Sequence, residues 1–211
     1  EGTQGPAKID GTLGALAFNI KGASPKITVS NRVLSGVTYR AKGRKDGSAI
    51  EADIALTGQD DLGAMSLDAK GLYQDGTWAF QTLASEFSGL SISGDVSGQG
   101  GDLARLKSDL KITGNPSDFM PAQDIDLTVN LANETARITG SIQGINAGPL
   151  IDASAEINAK GPRGAVDFAV RLKGGTRLND ITRSTDMALT GTADLMAPDL
   201  GVTASLDGNL G

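Results

Sequence analysis

The sequence predicts an all-β protein built as one long, curved, repetitive sheet of roughly 12 to 14 short strands, with almost no helix. Three observations carry that expectation. Apolar and polar residues alternate with period two along nearly the whole chain, glycine punctuates the alternating runs, and glycine is too abundant for a helix bundle. There are 29 glycines in 211 residues, and each one inside a helix would cost roughly 1 kcal/mol relative to alanine. Aromatics make up only 4 %, so the apolar surface these strands present is aliphatic and smooth.

The alternation begins at Leu16, Phe18 and Ile20, which share one side of an extended segment. Val37, Tyr39 and Ala41 repeat it, followed by Ile50, Ala52, Ile54 and Leu56. Met65, Leu67 and Ala69 come next, then Leu90, Ile92 and Val96. The pattern continues through Leu106, Leu110 and Ile112, and through Ile125, Leu127, Val129 and Leu131. Ile138 with Ile142, Ala155 with Ile157, and Val166, Phe168, Val170 and Leu172 extend it. Met187, Leu189 and Ala193 precede a last set of Val202, Ala204 and Leu206. Helical spacing fits none of these windows as well.

Many runs end in an apolar residue, one polar or charged residue, then glycine. Ile20-Lys21-Gly22, Leu56-Thr57-Gly58, Ile112-Thr113-Gly114, Ile138-Thr139-Gly140, Leu172-Lys173-Gly174 and Leu189-Thr190-Gly191 are examples. Glycine there suits a turn that needs positive φ, so these positions are expected to close strands. Their spacing is too irregular for a solenoid with fixed coils. Lys42 to Ser48 reads as a charged turn and Ser97 to Asp102 as a glycine-rich one. Asn115 to Pro121 suits a helical turn, with Asn115 as its cap and Pro116 in the first position. No stretch reads as a linker, and residues 1–211 are expected to form a single repetitive segment.

Composition removes several function classes. The chain has neither cysteine nor histidine, so disulfide frameworks and histidine-dependent triads are excluded, together with the commonest general base and metal ligand. The net charge of −6 comes from 19 basic and 25 acidic residues, read as dispersed without a basic cluster, which speaks against a phosphate-backbone partner. The turn at 97–102 lacks the Gly-Lys-Ser/Thr ending of a phosphate loop and reads as a hairpin. Asp60-Asp61, and Asp124 with Asp126, lack the further oxygen ligands of a calcium loop and read as solvated charges. Asn133-Glu134-Thr135 matches the glycosylation sequon, a tripeptide that arises often by chance. No catalytic residue, metal or cofactor is expected.

The apolar face itself is then the candidate site. It would either close against a second sheet as a β-sandwich or line a groove open to acyl chains. The lining residues would be Leu16, Phe18, Ile20, Val37, Ile54, Leu56, Met65, Leu67, Leu90 and Ile92 in the first half. In the second half they would be Leu110, Ile112, Ile125, Leu127, Val129, Leu131, Ile138, Ile142, Ile157, Val166, Phe168, Val170, Leu172, Met187, Leu189, Val202 and Leu206. A transmembrane barrel would need aromatic girdles at both interfaces, which this composition does not supply.

The repeated apolar-Thr/Lys-Gly endings resemble the periplasmic part of TamB-like proteins, within the wider AsmA-like group that also holds YdbH-like relatives. The stretch from Asp102 to Phe119, the run from Ser184 to Gly191, and Gly201 to Gly211 carry this resemblance. It implies a U-shaped β-taco in the periplasm of a Gram-negative cell, with the parent held in the inner membrane by a helix not present here. It further implies a hydrophobic groove that carries phospholipid between inner and outer membranes, in outer-membrane biogenesis and protein assembly. The partners implied are phospholipid acyl chains and, through other parts of the parent, an outer-membrane barrel of the Omp85 type. The chain is accordingly read as a segment of a larger, non-enzymatic envelope protein. The other reading is an adhesin-like surface repeat with a closed core. Twelve strands at ~4.8 Å would give a trough of roughly 55 Å.

Overall fold

A computed structural model describes residues 7–12, 14–29, 32–60, 63–100, 105–117, 120–132, 134–178, 181–197 and 201–210. The protein is all-β, as the alternation predicts. Fourteen strands follow one another: β1 (Ala7–Thr12), β2 (Ala15–Val29), β3 (Arg32–Asp46), β4 (Ala49–Asp60), β5 (Gly63–Gln74), β6 (Thr77–Phe87), β7 (Leu90–Gln99), β8 (Lys107–Gly114), β9 (Asp124–Ala132), β10 (Thr135–Ile145), β11 (Leu150–Pro162), β12 (Val166–Leu178), β13 (Ile181–Asp194) and β14 (Gly201–Leu210). Strand order in the sheet is chain order, the topology expected when each strand returns through a short turn.

Contacts divide the chain into two compact units, Glu1–Asp102 and Leu103–Gly211. In the first, every strand from β1 to β7 pairs antiparallel with the next. In the second the same holds from β8 to β14. Each unit is therefore one continuous sheet. A sandwich requires the chain to leave one sheet and begin another, so neither unit forms the closed two-sheet alternative.

Several strands run to 12 residues or more, longer than the usual five or six. Bulges interrupt their pairing at Ser35/Thr38, Asp68/Lys70, Phe80/Leu83, Ile142/Ile145 and Ile151/Ser154. A bulge bends its strand and raises the local twist, so these are the places where a long ladder turns. Two of the bulged residues are non-glycines held at positive φ, Thr82 (49°) and Asp152 (47°). Each has its N–H taken by a side chain: Thr82 by Asp95 Oδ1 at 2.9 Å, Asp152 by Asn146 Oδ1 at 3.0 Å.

The structure corrects the turn assignments. Gly22, Gly58, Gly140, Gly174 and Gly191 lie within strands, not at hairpin ends; only Gly114 closes one. Their reason is space, not turning: at Gly43, Gly140 and Gly191 an added methyl would run into the backbone of the neighbouring strand. Lys42 to Asp46 belong to β3, and only Gly47 and Ser48 make the turn. Ser97 to Gln99 belong to β7, while Gly101 and Asp102 lie outside the described residues. Asp75-Gly76 and Ser88-Gly89 are two-residue turns with all four residues at positive φ, the pattern that matches strand twist. At 115–120, Asn115 Oδ1 accepts from Ser117 N at 2.9 Å and Met120 N donates to Pro116 O at 2.9 Å, one turn of the expected kind.

Candidate functional site

Register converts the alternation into rows that cross the strands. In the second unit, Leu110, Val129, Ile138, Ala159, Phe168, Gly191 and Ala204 stand opposite one another from β8 to β14. A second row is Ile112, Leu127, Gly140, Ile157, Val170, Leu189 and Leu206, and a third runs Gly114, Ile125, Ile142, Ala155, Leu172, Met187 and Gly208. Beside them Leu131 pairs with Ala136, and Val166 with Ala193, which pairs in turn with Val202. Every residue named from the sequence in this half falls on this one face.

The first unit has the same construction. Ile9, Phe18, Gly43, Ala52, Gly71, Phe80 and Val96 form one row. Ile20, Ala41, Ile54 and Ala69 form the next, then Gly22, Tyr39, Leu56, Leu67, Ser85 and Ile92. Leu16 heads a row that passes Lys45 and Ile50 to Tyr73 and Trp78. Val37 faces Ser24, and Met65 pairs with Phe87, which pairs with Leu90. The ten residues expected here thus share a face as well.

Alanine shows which face is enclosed, because its side chain is too short to reach for cover. On the apolar face Ala52, Ala69, Ala136, Ala153, Ala155 and Ala159 are buried. On the opposite face Ala17, Ala84, Ala169 and Ala188 are exposed. Among the described residues seven of the ten buried apolar side chains are alanines, while the leucines, isoleucines and phenylalanines of the rows mostly stay half-buried. The large side chains shelter the small ones but are not themselves roofed over. At the outer strands they stand open, with Ile9 62 % and Leu206 66 % exposed.

Large side chains face glycines across the ladder. Trp78 lies over Gly98, Tyr39 over Gly22, Phe168 over Gly191 and Met187 over Gly208. Each glycine leaves a hollow that the neighbour fills, which keeps the rows level without tight interdigitation.

One end of the second unit is closed. Ala136, Ala159 and Val166 form a buried cluster with Leu131, Ile138 and Phe168 packed against it. Arg163, in the turn between β11 and β12, is only 4 % exposed. Its guanidinium donates to the carbonyl of Leu106, its N–H to Glu134 O at 2.7 Å, and its carbonyl accepts from Leu195 N at 2.8 Å. In a flat sheet β8 and β11 would lie roughly 14 Å apart, beyond an arginine's reach, so the sheet is drawn in along this edge.

The other face is polar and ion-paired. Glu51 accepts from Arg44 at 3.1 Å and from Lys70 at 2.5 Å, and Arg171 forks onto Asp186 at 3.0 and 2.7 Å. Hydrogen bonds from Lys70 and Arg44 hold the Glu51 carboxyl below the usual range, and the bond from Arg171 does the same for Asp186. Lys70 is correspondingly raised by Glu51. Of the acidic pairs weighed from sequence, Asp126 meets Lys111 at 3.5 Å, and the side chains of Asp60 and Asp61 lie outside the described residues, as does Asn133. Among the described residues no three acidic side chains converge as a metal site requires.

Sequence reading missed one feature of this face. Residues 15–45 contain seven lysines and arginines and no carboxylate; Lys21, Arg40, Lys42 and Arg44 stand on this face, and Lys21 lies directly opposite Arg40. The signal was a charge count over a 31-residue window, hidden by the acidic total. Among the described residues no helix is long and apolar enough to cross a membrane. No protein-family model, curated protein or solved structure matches the chain.

Proposed function

We propose that the apolar face is the wall of a lipid-conducting groove, in a segment of a periplasmic bridge-like protein of the TamB-like or AsmA-like kind. The observation that carries this reading is the continuity of the rows. In the second unit three apolar rows cross all seven strands with no charged residue in any of them, a length of about 29 Å at the usual strand spacing. Each CH₂ of an acyl chain gains about 0.8 kcal/mol by leaving water, and unbroken rows let that gain persist as the chain slides. The protein then needs no chemistry of its own, only a surface that never forces the lipid through water. An Omp85-type outer-membrane barrel, bound through other parts of the parent, is the partner this role calls for.

The reading is tested by isolating the chain from bacterial membrane extracts in mild detergent and weighing it intact by native mass spectrometry. Co-purified phospholipid, lost in Ile112→Asp or Val129→Asp variants of unchanged far-UV circular dichroism, is the expected result. A lipid-free protein, or lipid retained in both folded variants, would overturn it.

A further inference from the structure

We propose that the outer face of β2 and β3 is a docking surface for an anionic phospholipid bilayer, distinct from the apolar face and independent of the groove reading. The register carries the argument. Lys21 and Arg40 are exposed and directly opposed on the polar face, a placement that brings like charges within about 5 Å and destabilises the ladder. Elsewhere the sheet neutralises such cations. Arg44 and Lys70 share Glu51, Lys111 meets Asp126 and Arg171 holds Asp186. A second like-charged pair, Arg137 opposite Lys160, has Asp167 in register beside Lys160. Arg40 instead faces Ala55 on β4, and Asp53, diagonal to it, stands in register between Lys42 and Lys70. Among the described residues neither Lys21 nor Arg40 has an ion-pair partner. The repulsion is left for something outside the chain to relieve.

The occupant must be a polyanion presented as a surface, because Lys21 and Arg40 are exposed side chains on the open face of a sheet. Nucleic acid is disfavoured by the absence of aromatic side chains beside them. The neighbours on this face are Ala17, Asn19, Ala23 and Thr38, which offer no base-stacking platform. The overall charge of −6 does not prevent docking, since salt screens exposed charges beyond about 8–10 Å and only those at the contact count. Each cation at an anionic surface contributes about fivefold in affinity.

The test is flotation of the full chain with vesicles of phosphatidylcholine alone and of 7:3 phosphatidylcholine to phosphatidylglycerol, at two salt concentrations. Binding only to the anionic vesicles, weakened by salt and reduced on the order of twentyfold in Lys21→Gln/Arg40→Gln, is expected. Arg137→Gln/Lys160→Gln removes the same charge elsewhere and is expected to bind like the parent. Because Lys21→Gln/Arg40→Gln relieves a repulsion, its melting temperature should match or exceed the parent's, which separates lost binding from lost fold. Equal binding to neutral vesicles, equal loss in both double variants, or tighter binding to a single-stranded oligonucleotide that competes with the vesicles would overturn the proposal. Loss of groove lipid in Ile112→Asp, with vesicle binding intact, would show that the two surfaces act separately.

Discussion

The indole of Trp78 lies across Gly98 of the adjacent strand, so close that a methyl group on that glycine would come within 2.6 Å of Cζ2. The ring cannot easily retreat, because its Nε1 donates to the carbonyl of Gly100 at 2.9 Å. The pair shows one way in which a face poor in aromatics uses them: Trp78, like Tyr39 over Gly22 and Phe168 over Gly191, is laid over a position with no side chain.

Gly98→Ala is therefore expected to destabilise the first unit by about 1–3 kcal/mol through overpacking. Gly14 makes the control, since a methyl there meets nothing within 4 Å, and Gly14→Ala should be neutral or slightly stabilising. Urea titration followed by tryptophan fluorescence compares the two. Equal midpoints would mean that the indole swings aside at no cost.

The faces were legible in the sequence because burial has period two, and a residue's parity survives even when strand limits are misjudged. Leu110, Val129, Ile138 and Phe168 could be assigned to one face without knowing which strand each pairs with. The glycines were misread because Gly140 or Gly191 looks the same in sequence whether it permits a turn or a close approach between strands. Only the neighbour decides, here the backbone of Leu127 or of Ala204. Bulges were invisible for a related reason: Thr82 carries no conformational signal of its own, and its partner Asp95 is 13 residues away. The opposition of Lys21 and Arg40 also required register, which alternation alone does not supply.

The same face should differ sharply in its tolerance of charge. Ile112 lies on an uncovered row and is half-buried, so an aspartate there can stay hydrated, and Ile112→Asp should cost no more than about 2–3 kcal/mol. Ala159 is 7 % exposed, within the cluster of Ala136 and Val166. A carboxylate at Ala159 would be buried without a partner, and Ala159→Asp is expected to prevent folding of the second unit or to cost over 4 kcal/mol. Circular dichroism with urea titration of both variants reads the contrast. Similar costs would mean that the rows are sealed throughout.

Stability should fall in acid through identifiable carboxylates. Glu51 and Asp186 are depressed by their hydrogen-bonded cations. Their contribution is thus complete above the ordinary carboxylate range near pH 4 and is lost as pH drops through the depressed folded-state values. Lys70 is raised, so its share persists from neutral pH upward and is lost only as pH climbs through its elevated value. The pairs are exposed and each effect is small. The urea midpoint of Glu51→Gln/Asp186→Asn should decline less between pH 5 and pH 3 than that of the parent. Parallel declines would assign the acid sensitivity to other carboxylates.

Asn146 ties two bulges together with one side chain. Its Oδ1 accepts from the N–H of Asp152 at 3.0 Å, where φ is positive, and its Nδ2 donates to the carbonyl of Gly144 at 3.0 Å, at the neighbouring β10 bulge. The backbone N–H of Asn146 is itself fixed to Pro121 O at 2.8 Å, so the amide is presented to both strands in a set position. Asn146→Ala removes both bonds and leaves Asp152 in a left-handed conformation with nothing holding it there, at an expected cost of about 1–3 kcal/mol. Asp152→Gly should relieve the conformational strain while keeping the N–H that Asn146 binds, and is expected to recover part of that loss when combined with Asn146→Ala. Amide hydrogen exchange provides the local readout. Faster exchange confined to the β10–β11 and β11–β12 pairings is expected in Asn146→Ala, whereas uniform acceleration across β8 to β14 would make Asn146 part of the unit's global stability instead of a clamp on its bend.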